Sequence, residues 1–123
     1  MKFGFKDLEV WKKAIVFAEK VITITEKLET DRKHFRLVEN IEAAVVSVAA
    51  NIAEGKGRAY KKEFIQHLYI SKGSLYETVT FLEIFKVKNW ISKESYESLL
   101  ADAEEIVKMA SGLINSLQQH VTK

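Results

Sequence analysis

The chain has 123 residues, 47% of them hydrophobic and 29% charged, with a formal net charge of +2. That size holds one core, so a single domain over residues 1–123 is expected and two are excluded. Proline and cysteine are absent and glycine occurs five times, which removes disulfides and thiolate metal sites and favours long helices over hairpins.

No apolar run approaches a membrane span, and Met1-Lys2-Phe3-Gly4-Phe5-Lys6 lacks a signal-peptide core. A cytoplasmic protein with no membrane partner is expected.

The spacing predicts a first helix over 7–28, with Asp7 as its N-cap. Leu8, Trp11, Ile15, Ala18 and Ile22 form one apolar stripe, and Val10, Ala14, Phe17, Val21, Ile24 and Leu28 form another. Two stripes fit either generous burial in a bundle or a subunit contact. A charged connection from Glu29 to Phe35 follows.

Helix two is expected over 36–54, with Leu37, Ile41, Ala44, Val45, Val48 and Ile52 inward and many alanines allowing a neighbour close. It ends in Asn51-Ile52-Ala53-Glu54-Gly55. Asn51 and Glu54 share a flank, and Gly55 is expected to supply the left-handed stop. Their polar groups serve either to tie down the next loop or to contact a ligand or partner. The loop Gly55-Lys56-Gly57-Arg58-Ala59-Tyr60-Lys61-Lys62 carries four cations. No strand precedes it and its glycine spacing is wrong for a phosphate-binding motif.

Helix three is expected over 61–87, with Phe64, Leu68, Ser71, Leu75, Thr78, Leu82 and Phe85 at steps of four and three. Gly73 costs such a helix roughly 1 kcal/mol against alanine, so a close helix contact around Ser71, Gly73 and Ser74 is expected. Glu77, one turn on, is placed to accept a neighbour's hydrogen bond. Asn89 suits a left-handed turn. Ser92 caps a fourth helix over 92–117, Ile91 stapling onto Tyr96. One of its stripes runs from Tyr96 to Leu117, and Leu100, Val107, Ile114 and Val121 flank it.

These elements predict an all-α, up-down-up-down antiparallel four-helix bundle. In that topology Lys2, Lys6, Lys12, Lys13, Lys56, Arg58, Lys61, Lys62 and Lys123 share one end with Asp7, Glu9, Glu54 and Glu63, an excess of five positive charges. The rest of the chain is negative. A basic end either binds phosphates or is simply solvated.

Asp7-Leu8-Glu9-Val10-Trp11-Lys12-Lys13-Ala14, Ser47 with Asn51-Ile52-Ala53-Glu54-Gly55, Lys62-Glu63-Phe64 and Gly73-Ser74-Leu75-Tyr76-Glu77 resemble the four-helix-bundle proteins encoded in intervening sequences of bacterial 23S rRNA genes. The resemblance covers about residues 5–117. Its relatives include the accessory variability proteins of diversity-generating retroelements. It implies a ring-shaped homopentamer without catalytic activity, and for the retroelement relatives a role binding nucleic acid and a reverse transcriptase. Asn51, Glu54, Gly55, Gly73, Ser74 and Glu77 then form the structural motif. This chain has Ala49 where the family usually has proline, and Glu42 and Ala43 where relatives often carry arginines.

Two functions follow as expectations: an oligomer binding RNA or DNA through Lys56, Arg58, Lys61 and Lys62, or a scaffold for a partner such as a reverse transcriptase. Enzyme chemistry, a cofactor and a metal are not expected. Glu63 and His67 lack the second pair that a di-iron bundle needs, and His34 and His120 have no evident carboxylate orienter. Ser47 and Ser74 read as packing residues. Trp11, Trp90 and the tyrosines read as core or interface aromatics, with no single-strand groove indicated.

Overall fold

The computed structural model describes residues 2–28 and 34–120. Most of the connection expected over residues 29–35, together with Val121 and Lys123, lies outside them.

A 3-10 turn at Gly4–Asp7 leads into α1 (Glu9–Lys27), followed by α2 (Phe35–Lys56), α3 (Lys61–Val87) and α4 (Lys93–Gln118). No strand occurs among the described residues. Each helix buries one stripe: Val10, Ala14, Phe17 and Val21 from α1, Ile41, Val45, Val48 and Ile52 from α2, Phe64, Leu68, Leu75, Leu82 and Phe85 from α3, and Leu99, Ala103, Ile106 and Ile114 from α4. Each large side chain so buried contributes about 1.5–3 kcal/mol. Exposed ion pairs contribute about 0–1 kcal/mol each, so the apolar interior dominates.

α2 and α3 are the most intimately packed pair. Ser47 meets Ser74, Val48 meets Ser71, and Asn51 meets His67, so the two helices run in opposite senses. Lys13–Glu105 and Lys20–Asp102 give the same sense for α1 against α4.

Several helix ends differ from the sequence expectation. Asp7 sits in the 3-10 turn rather than at the cap of α1. Leu8 takes that place in an extended conformation, without a side-chain cap bond. α2 continues unbroken through Ala49 and past Gly55 to Lys56, and no glycine has positive φ. Gly55 therefore does not stop the helix.

Asn89 does take the left-handed turn, at φ 62°. Ser92 caps α4, its Oγ accepting from the Ser95 amide at 3.0 Å. The buried Ile91 and Tyr96 both join the core.

The surplus apolar surface is not where the double stripes placed it. Leu8, Trp11 and Ile22 are half-buried, as are Leu100 and Val107, and Ile114 is buried. α1 exposes Ile15 and Val16, and α4 exposes no large hydrophobic residue. The outer face of α3 instead presents Tyr69, Ile70, Tyr76, Ile84 and Val87. Gln66, Glu77 and Thr80 are exposed on the same helix, so this face mixes apolar and polar groups.

Candidate nucleic-acid interface

The motif residues divide between a half-buried polar node and the surface. Gly55 is buried where α2 crosses α3. A Cβ there would stand 2.7 Å from the His67 Cβ, 2.9 Å from Phe64 Cδ1 and 3.3 Å from the Phe64 carbonyl oxygen. Only glycine permits this approach, and the approach brings the polar groups together.

The Asn51 amide donates to the Ser47 carbonyl and hydroxyl at 3.0 and 2.9 Å. Its oxygen therefore faces His67, whose Nδ1 lies 3.1 Å away and must donate. Ser47 Oγ and Ser74 Oγ are 2.8 Å apart, and Ser71 Oγ donates to the Val48 carbonyl at 2.7 Å. No buried side-chain polar atom among the described residues is left without a partner. These bonds run between α2 and α3, whereas the expected tie to the next loop comes only from Glu54 to Arg58. Ser47 and Ser74 pack and hydrogen-bond at once, and His67 serves Asn51.

The other motif residues lie outside the node. Gly73 is exposed, and a Cβ placed on it would meet nothing within 4 Å, so the expected close contact falls to Ser71, Ser74 and Gly55. Glu77 is exposed and takes no hydrogen bond or ion pair among the described residues. Glu54 is exposed and pairs with Arg58 at 2.8 Å. Glu42 accepts from the Thr25 hydroxyl at 2.7 Å and so links α1 to α2.

At the basic end, cross-helix register decides which charges remain. Lys12 pairs with Glu9, Lys13 with Glu105, and Arg58 with both Glu54 and, at 3.8 Å, Glu63. The Glu105 carboxylate beside Lys13 holds its ammonium above the ordinary lysine range. Lys2, Lys6, Lys56, Lys61 and Lys62 are exposed and have no ion pair among the described residues. Of the four predicted contacts, Arg58 is thus partly neutralised, and the three lysines are not.

The chain's start adds what the sequence pattern did not suggest. The 3-10 turn packs on α1 and α2, with Phe5 against Trp11 at 5.2 Å and Phe3 against Phe5 at 5.6 Å between ring centroids. Lys2, Phe3, Gly4 and Phe5 face Ala53, Glu54, Lys56, Gly57 and Arg58 across an open groove of about 580 Å³. Aromatic residues between lysines at positions 2 and 6 were the available signal.

No group of three or more His, Cys, Asp or Glu residues suited to a metal ion occurs among the described residues. No helix among the described residues is long and apolar enough to cross a membrane.

The family model for 23S rRNA-intervening sequence proteins matches residues 6–112. The chain is also similar to a crystal structure of a protein with unknown function from the S23 ribosomal protein family, from Bacteroides thetaiotaomicron. That match has 30% identity and a TM-score of 0.79, and covers 85% of this chain and 97% of that one. No curated protein matches.

Proposed function

Since the chain belongs to the 23S rRNA-intervening sequence protein family, we propose that it is a non-enzymatic, oligomeric protein of the cytoplasm that binds RNA or DNA through its lysine-rich end. The carrying observation is that Lys56 at the end of α2 and Lys61 and Lys62 at the start of α3, with Lys2 and Lys6 on the adjoining arm, have no carboxylate partner among the described residues. Unpaired exposed ammonium groups displace counterions from phosphates, and paired ones contribute less.

In this reading the helices form an up-down-up-down antiparallel bundle, supported by the opposed registers of α2 with α3 and of α1 with α4. Copies associate through the outer face of α3, where Tyr69, Ile70, Tyr76, Ile84 and Val87 are exposed, since clustered exposed apolar side chains mark interaction surfaces. The resemblance implies five copies in a ring. Ring closure would repeat the lysines around one rim and turn a local excess into a continuous field.

The test is binding of a structured RNA and a DNA of equal length to the full chain at low salt. Binding that weakens as salt rises, and that becomes weaker and less salt-dependent when Lys56, Arg58, Lys61 and Lys62 become glutamine, supports the reading. Undetectable binding of both contradicts it.

The α3 face also favours a second reading, a scaffold that holds a protein partner, for which the resemblance suggests a reverse transcriptase. Co-purification with such an enzyme, abolished by Tyr76→Glu, together with no nucleic-acid binding, would select it.

A further inference from the structure

We propose that the groove between the N-terminal arm and the end of α2 takes a single-stranded nucleic-acid segment, with a base stacking on Phe3 and the flanking phosphates on Lys2 and Lys56. The proposal rests on the nucleic-acid reading above and narrows it to one kind of strand.

The Phe3 ring is 56% exposed although it is large and apolar. It ends a file of rings, Phe3 on Phe5 on Trp11, anchored on α1. That file holds Phe3 at the groove without burying it. Lys56 runs past the arm, its Cε 3.7 Å from where a Cβ on Gly4 would stand, and so keeps an unpaired ammonium on the groove wall. The volume of about 580 Å³ lies within the usual range for small-molecule sites.

Charge sets the direction in which a strand can lie. Glu54 lines the same groove and repels phosphate, but Arg58 pairs with it at 2.8 Å and offsets that repulsion. The backbone therefore follows the Lys2 and Lys56 side. Tyr60, 70% exposed at the start of α3 between Arg58 and Lys61, offers a second ring on the same connection.

Exposed rings interleaved with lysines discriminate between strand types. A duplex keeps its bases stacked inside and offers mainly phosphates, whereas a single strand can place a base on an aromatic face. Stacking on one ring changes affinity by about tenfold.

The test uses the full chain and fluorescence anisotropy at low salt. The probes are a labelled twelve-nucleotide single-stranded RNA and a blunt RNA duplex of the same length. Phe3→Ala is expected to weaken single-strand binding about tenfold, leave duplex binding and the thermal melt unchanged, and be rescued by Phe3→Trp. Equal binding of the single strand by wild type and Phe3→Ala would overturn the stacking proposal. If Lys56→Gln then still weakened both probes, the broader nucleic-acid reading would stand. Binding of neither probe by the wild type would end both.

Discussion

Replacing Gly55 with alanine tests how closely α2 and α3 must approach. The new methyl would stand 2.7 Å from the His67 Cβ, whereas carbon atoms attract best at about 3.5–4.0 Å. Relief therefore requires the helices to part by about 1 Å, because neither the His67 Cβ nor the Phe64 carbonyl oxygen can swing aside. Overpacking of this kind costs about 1–3 kcal/mol. Parting also stretches the 3.1 Å hydrogen bond between Asn51 and His67, which costs about 1 kcal/mol more. Alanine's better helix propensity returns about 1 kcal/mol. The expected net destabilisation is about 2 kcal/mol, read as a lower urea midpoint at unchanged slope. A neutral or stabilising Gly55→Ala would refute the close-approach account.

Gly73→Ala is the matched control. Its methyl enters open space on a helix, so the isolated chain gains up to about 1 kcal/mol in the same denaturation assay. Ser71→Ala removes the 2.7 Å bond to the Val48 carbonyl and costs about 1 kcal/mol by thermal unfolding. Lys86, then the Tyr96 hydroxyl, hold the Glu83 carboxyl below its ordinary value. The unfolded chain thus binds that proton first as pH falls, so stability present at neutral pH is lost as pH drops through the lowered value. Urea midpoints measured down the acid range should fall less steeply for Glu83→Gln. Tyr76→Glu, with a charge on the α3 outer face, should lower the light-scattering mass towards the single-chain 14.1 kDa.

Local spacing made the helices legible because burial on one face imposes a three-and-four rhythm whatever the helix packs against. Asn89 and Ser92 were legible for a similar reason: each acts within its own turn. Gly55 and Gly73 were misread because a glycine's sequence neighbours signal a turn or a thin helix, while its actual role depends on a second helix. The location of surplus apolar surface needed the same missing information. On α1 two stripes look alike in sequence, and only the packing shows which of them faces the core.

The basic end was legible as a cluster but not as a field. Lys13 is paired with Glu105 on α4, a pairing set by tertiary register. The groove was invisible for the same reason, since the arm that carries Phe3 folds back against the far end of α2. Glu42 shows the same. Its role, accepting a hydrogen bond from Thr25 on another helix, depends on a partner distant in sequence.

The most direct test of the lysine-rich end is the slope of log affinity against log salt for a single-stranded RNA, compared between wild type and the variant with glutamine at 56, 58, 61 and 62. Each phosphate that the variant no longer neutralises should flatten the slope by about 0.7. With three unpaired lysines and a partly neutralised arginine among the four, the account predicts a flattening of about 2. Parallel slopes, or wild-type binding that does not respond to salt, would contradict it.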